Sequence, residues 1–319
     1  MWDERTISVV VPSYKRPGDL RAALASVTEQ NLARGPGGFR LEIVVVDNDA
    51  RASARGVAAD AVRALPEGMA LHYCVEPRSG LVWARNRGLA EARGRYVFFL
   101  DDDMVAQPDC VALLMGALGS HGAGVAFAAV DAVMPEDGDA DLMARMQPFF
   151  SRRPDMAEGP VEIGFGAGGA LFDRVVCELP VEAFDPRANV TGGEDDVLLN
   201  GLLDRGVRFA WVPSAVTRET VPAHRATLDY LWTRNFAYGQ GPTEAANDRG
   251  SRAGVMKWMA VGAAQAVLRL PGWALLHAVG HPGRASAHAR MAQALGKVFW
   301  RKRAALYGAG GAALQRAPA

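Results

Sequence analysis

Tyr96-Val97-Phe98-Phe99-Leu100-Asp101-Asp102-Asp103 decides how this chain is read. Five apolar residues without alternation predict a strand covered on both faces, the kind that parallel sheets contain. The three carboxylates directly behind it form a like-charged cluster that folding alone has little reason to build. Such a triplet can simply end a strand, but at a sheet edge it also suits a divalent cation whose charge relieves the crowding.

The same pattern of apolar strand and polar edge occurs earlier in the chain. Residues 6–11 are β-branched and apolar and break at Pro12-Ser13-Tyr14-Lys15-Arg16-Pro17-Gly18, after which residues 19–29 carry helical spacing through Leu20, Ala23, Leu24 and Val27. Residues 41–46 predict a second strand ending at Asp47-Asn48-Asp49, followed by an Ala-rich helical stretch over 50–65. A third strand over 71–75 and a helix over 83–92, stopped by Gly94, lead into the aspartate-bearing strand. Strands alternating with helices predict an α/β fold with a mainly parallel sheet flanked by helices. Ligands of such sheets collect at the carboxyl ends of the strands, so three polar loops converge on one crevice.

A second acidic group, Glu194-Asp195-Asp196, follows Gly192-Gly193 and opens a helical stretch through Val197, Leu198, Leu199, Leu202 and Leu203 that stops at Gly206. Acids in a first turn complement the helix dipole. Three of them behind two glycines exceed what capping needs, and a carboxylate at such a helix mouth suits a general base. The Gly-dense run Gly164-Phe165-Gly166-Ala167-Gly168-Gly169 lacks the Lys-Ser/Thr ending of a phosphate loop, so it reads as close backbone approach or tight packing.

The 319 residues carry 35 basic and 35 acidic side chains, yet residues 251–319 contain ten Lys or Arg and no Asp or Glu. Residues 1–250 therefore hold a net charge of −10. Cys74, Cys110 and Cys177 form no CxxC pair and predict neither a disulfide framework nor a zinc site. Met1-Trp2-Asp3-Glu4-Arg5 lacks the basic start and long apolar run of a secretory leader, which makes the cytoplasm the expected compartment.

Five motifs in order, Val9-Val10-Val11-Pro12-Ser13-Tyr14-Lys15-Arg16-Pro17, Val44-Val45-Val46-Asp47-Asn48-Asp49, Gly80-Leu81-Val82-Trp83-Ala84-Arg85-Asn86, Phe99-Leu100-Asp101-Asp102-Asp103 and Gly192-Gly193-Glu194-Asp195, resemble the glycosyltransferase family 2 enzymes with a GT-A fold. Within that family they resemble the branch that includes succinoglycan-type exopolysaccharide glucosyltransferases, a likeness shared by Arg218-Glu219-Thr220-Val221-Pro222 with Arg225. The resemblance spans about residues 6–240. It implies a catalytic domain over 1–250, with a Rossmann-like nucleotide-sugar half to about 105 and an acceptor half beyond it.

By that resemblance, Pro12, Ser13, Tyr14 and Asp47 would line the base pocket, with Arg16 and Arg85 near the nucleotide. Asp101 and Asp102 would meet the ribose and metal, and Asp103 would be the principal ligand of Mg²⁺ or Mn²⁺. Asp195 would be the catalytic base, with Glu194 and Asp196 as neighbouring candidates, and Arg218 and Arg225 would neutralise the pyrophosphate. The implied reaction is inverting transfer of a sugar from a UDP-sugar, such as UDP-glucose, to a saccharide hydroxyl. A silent carbohydrate-binding scaffold would be expected to have lost one acidic cluster, and a nucleotidyltransferase would begin with a Gly-rich phosphate loop.

The tail predicts a basic, helical, amphipathic extension over 251–319. Its longest clean apolar stretch, 258–268, is about half the 20 residues a spanning helix wants, and Pro271-Gly272 reads as a break. Lying on an anionic membrane surface fits such a tail, and packing against the protein is the other reading. No nucleic-acid motif accompanies the charge. A membrane-bound tail would place the protein on the cytoplasmic face of the inner membrane, with a lipid-linked oligosaccharide, for example on polyprenyl pyrophosphate, as acceptor.

Overall fold

The expected strands over the first hundred residues are present as β1 (Asp3–Ser13), β2 (Arg40–Asp47), β3 (Ala70–Val75) and β4 (Gly94–Phe99), joined by α1 (Pro17–Thr28), α2 (Arg55–Arg63) and α3 (Leu81–Glu91). They belong to a computed structural model that describes residues 2–32, 35, 37–189 and 193–302, so Gly192 and the end of the basic tail lie outside the described residues. β1 pairs in parallel with both β2 and β4, and β2 with β3. The continuous apolar sequence follows from burial on two faces. Val9, Val11, Ile43, Val45 and Phe98 pack with Leu20 and Leu24 of α1, while Val10, Val44, Val46 and Phe99 pack with Val82 and Leu89 of α3. Register sets Ser13 opposite Asp47 and Val10 opposite Phe99, which brings the predicted polar loops to one sheet edge.

Beyond Phe99 the chain contributes β5 (Met104–Ala106), α4 (Cys110–His121), β6 (Val125–Val133), α5 (Ala140–Met146), β7 (Gly159–Val161), β8 (Ala170–Asp173), α6 (Glu194–Asp204) and β9 (Phe209–Thr220). The sheet order is β3-β2-β1-β4-β8-β6-β9-β5, with β7 also on β9. β8 lies antiparallel between β4 and β6. All four of its residues are buried. The helix expected over 50–65 starts only at Arg55, because residues 49–54 form a loop tied to the Asp47 carboxylate through the amides of Asp49 (3.0 Å) and Ala54 (2.7 Å).

The chain forms two compact units, 1–131 with 151–219 and 132–150 with 220–319. The second unit takes in residues 220–250 together with the tail, a different division from the boundary expected at residue 250. Its helices are α5, α7 (Leu228–Asp248), α8 (Arg252–Ala278) and α9 (Arg284–Val298). Buried Gln240 of α7 donates to the carbonyls of Phe299, Trp300 and Lys302, and Gln293 of α9 donates to Asn235 Oδ1 at 2.7 Å. These bonds give the helix pair a polar lock as well as apolar packing. Pro271 does not break the tail as expected: α8 is one 27-residue helix running through it. The carbonyl that proline leaves without its usual donor belongs to Val267, an exposed residue of α8.

At the end of this bundle Trp273 Nε1 donates to His288 Nδ1 (3.3 Å), while the His277 and Trp232 rings lie 4.9 and 4.6 Å from the His288 ring. Burial, with His277 adding to it, pushes the His288 pKa down to about 4. Protonation at Nδ1 would also break the Trp273 bond. Below the ordinary value of 6.5 an unfolded chain takes up a proton that the folded one refuses, so stability is full above pH 6.5 and falls as pH drops toward 4. His288→Asn is expected to flatten this fall by roughly 3 kcal/mol between those limits. Urea unfolding at pH 7 and pH 4.5 checks it, and an equal pH dependence in both proteins would refute it.

Candidate functional site

The three aspartates after β4 divide between two partners. Asp102 turns inward and is 6% exposed, and it accepts hydrogen bonds from Ser13 Oγ at 2.8 Å and the Tyr14 amide at 3.3 Å. Burial pushes its pKa up to about 7, against the pull of Arg16 and with a further push from Asp103. Arg16, at the head of α1, reaches Asp103 Oδ2 at 2.6 Å and Asp102 Oδ1 at 3.4 Å. Burial weakens the Arg16 cation, but Asp102 and Asp103 outweigh it and raise its pKa.

Asp101 faces the other way. It meets Arg85 Nη2 at 3.3 Å, while Arg85 Nη1 reaches Asp195 Oδ1 at 2.6 Å and Glu194 Oε1 at 3.1 Å. Carboxylates more than ninety positions apart in sequence, from the end of β4 and the start of α6, therefore converge on one guanidinium that is 2% exposed. Burial alone would weaken that cation, yet Asp195, Asp101 and Glu194 more than offset it and its pKa rises. The Glu194 pKa is raised by burial, opposed by Arg85 and reinforced by Asp195, and Asp196 is raised by burial and by Asp195.

Two groups in the site carry no signal in the sequence. The Ala167 amide donates to Asp195 Oδ2 at 3.1 Å. Arg152 donates to the carbonyls of Phe165, Gly168 (2.6 Å) and Ala128 (3.3 Å). The glycines between them are required by close approach. A Cβ at Gly168 would stand 2.6 Å from Asp101 Oδ2, and one at Gly166 would stand 3.3 Å from Asp195 Oδ2 on a backbone with φ of +92°. The Gly-dense run thus lies against the carboxylates, as its composition suggested.

Other expected residues have different surroundings. Asp47, expected to face a nucleotide base, is fully buried, and besides the amides of Asp49 and Ala54 it accepts the Tyr73 hydroxyl at 2.9 Å. Its carboxylate holds the loop after β2. Pro12 lies in β1 opposite Val46, and Tyr14 is 48% exposed. Arg218 sits on β9 opposite Val105, where its charge acts on Asp131. Arg225 belongs to the second unit, 5.8 Å from the Tyr230 ring.

The donor set of Asp101, Asp102 and Asp103 is all oxygen, as Mg²⁺ and Mn²⁺ prefer, and Asp102 and Asp103 already share a cationic neighbour in Arg16. Asp103 and Asp101 have the donor chemistry for such an ion, which would take them from Arg16 and Arg85. A second group with ligand chemistry, His72, Cys74 and Glu91, fits poorly. Burial pushes the Cys74 thiol up to about 11, away from the thiolate a metal needs.

The sequence model of glycosyl transferase family 2 matches residues 8–179. The succinoglycan biosynthesis protein ExoM of Rhizobium meliloti (strain 1021) is 31% identical over 234 residues, covering 73% of each chain. The structure of S. aureus TarS 1-349 in complex with UDP-GlcNAc aligns with 72% of this chain and 65% of its own, with a TM-score of 0.50 and 13% identity. That of GalNAc-T7 with UDP, GalNAc and Mn²⁺ aligns with 76% of this chain and 52% of its own, with a TM-score of 0.53 and 17% identity. This chain spans less than two thirds of either solved chain, and at such identities the likeness speaks for the fold alone, which is GT-A. With the family's sequence model covering more than half of the chain and a relative above 30% identity, the chain belongs to glycosyl transferase family 2.

Proposed function

We propose that this glycosyltransferase moves a sugar, with inversion, from a UDP-sugar to a hydroxyl of a saccharide acceptor, with UDP-glucose as the donor to try first. The observation that carries the reading is the meeting of Asp101 with Asp195 and Glu194 on Arg85, which brings the two acidic clusters together. The structures described with UDP-GlcNAc and with UDP and Mn²⁺ support the donor class and the metal. The name of ExoM supports a role in exopolysaccharide synthesis.

In this mechanism Asp195 Oδ accepts the proton of the acceptor hydroxyl as its oxygen bonds to the anomeric carbon. The bond from that carbon to the diphosphate oxygen breaks, and its electron pair leaves with UDP. Asp103 and Asp101 would hold Mg²⁺ or Mn²⁺, whose charge stabilises the departing diphosphate. Ser13 and Tyr14 fix Asp102, while Arg85 orients Asp195 and Glu194.

Thermal unfolding with UDP, GDP, dTDP and CDP, each with Mn²⁺ or with chelator, tests the donor site, because a ligand that binds only the folded state raises its stability. UDP with Mn²⁺ is expected to raise Tm, and the shift should vanish with chelator and in Asp103→Ala. No shift with any diphosphate would remove the reading.

We further propose that α8 lies on an anionic membrane at the cytoplasmic face. It is long and apolar enough to cross a bilayer by length and composition, with a mean hydropathy of 1.3, and only 6% of its most apolar window is buried. Val267, Leu268 and Leu275 are 72%, 81% and 63% exposed on a helix within an acid-free, basic segment. The protein is expected to float with vesicles containing anionic lipid. Equal flotation of the full chain carrying Leu268→Glu and Leu275→Glu, both exposed on α8, would refute this.

A further inference from the structure

Arg152 touches none of the reacting groups, yet its position ties them together. Its backbone is fixed to β6 by two hydrogen bonds with Val130, N to O at 2.8 Å and O to N at 3.0 Å. Its guanidinium reaches the Phe165 and Gly168 carbonyls, one on each side of the Gly166-Ala167 peptide. Phe165 is itself fixed, its ring 4.9 Å from Trp211 and 5.5 Å from Phe127. Between those two carbonyls lies the Ala167 amide, which donates to Asp195 Oδ2. Gly168 meanwhile lies so close to Asp101 that no side chain fits.

We propose that Arg152 is a positioning residue for the transfer, a fork that holds the loop 165–168 so that its backbone orients Asp195 through the Ala167 amide and backs Asp101 through Gly168. The proposal rests on the reading of Asp195 as the base. Arg85 fixes one oxygen of Asp195 from α3, and the loop fixes the other, so the second oxygen's direction depends on Arg152. Burial lowers the Arg152 pKa to about 10, which leaves it a cation at neutral pH.

Two variants of the full chain test it. Arg152→Lys keeps a cation, but one ammonium cannot bridge both carbonyls. Gly166→Ala disturbs the same link from the loop, with its Cβ 3.3 Å from Asp195 Oδ2 and 3.4 Å from Arg152 Nη1. With ¹⁵N-alanine labelling, the Ala167 amide is expected to lose its protection from hydrogen exchange in both variants. UDP release from UDP-glucose, with water as acceptor, is expected to slow roughly 10- to 100-fold in kcat while KM and UDP affinity stay within about twofold. Undiminished protection in Arg152→Lys, or a loss confined to KM, overturns the proposal. A wild-type chain that leaves UDP-glucose untouched would count against the proposed donor, while the exchange result would still decide whether Arg152 sets the Ala167 amide.

Discussion

Asp195→Asn is expected to lower turnover about 10²- to 10⁴-fold, the usual contribution of a general base, while UDP still binds. The substitution keeps the shape of the side chain and removes its basicity. In the native site one oxygen of Asp195 accepts from Arg85 and the other from Ala167, and an amide can offer its single carbonyl to only one of them. The variant therefore loses both the proton acceptor and half of its fixed orientation. Glu194→Gln separates the neighbouring candidates, since Glu194 meets Arg85 but no loop amide is seen to hold it among the described residues. Steady-state UDP release, with UDP affinity measured calorimetrically, reads both variants. A dead Glu194→Gln beside an active Asp195→Asn would move the base by one position.

Arg85→Met is expected to be the most destabilising single change in the site. The guanidinium is 2% exposed and serves Asp101, Glu194 and Asp195 together, so its removal leaves three crowded carboxylates without their cation. Breaking a buried ion pair in this way costs about 3–5 kcal/mol. Arg85→Lys should recover only part of it, because one ammonium cannot reach three carboxylates that the planar fork meets from two nitrogens. Urea unfolding gives the number, and a midpoint unchanged by Arg85→Met would show that the three acids have other partners.

The parallel half of the sheet was legible in the sequence because burial on two faces leaves continuous apolar runs, as at residues 41–46 and 96–100. The acidic groups were legible because charge at a strand end or helix mouth stands out from its surroundings. Arg152 was not: one arginine in a polar segment has no periodicity, and its role exists only through carbonyls thirteen and sixteen residues away. The antiparallel β8 was hidden for a similar reason, since four buried residues behind a glycine run do not declare which strand they will join. The place of Asp47 in a motif says nothing of which groups its oxygens meet, and the structure gives them the Tyr73 hydroxyl and two loop amides.

The placement of β8 beside β4 has a consequence for biosynthesis. By the time residue 106 has left the ribosome, β1 to β4 can pair, but the free side of β4 must wait for residues 170–173. Throughout that interval a nascent chain carries Phe98 and Phe99 on an uncapped strand edge, the kind of surface that recruits other strands. Expression of residues 1–106 alone is therefore a route to aggregates, and a fragment study of this protein should end after residue 173.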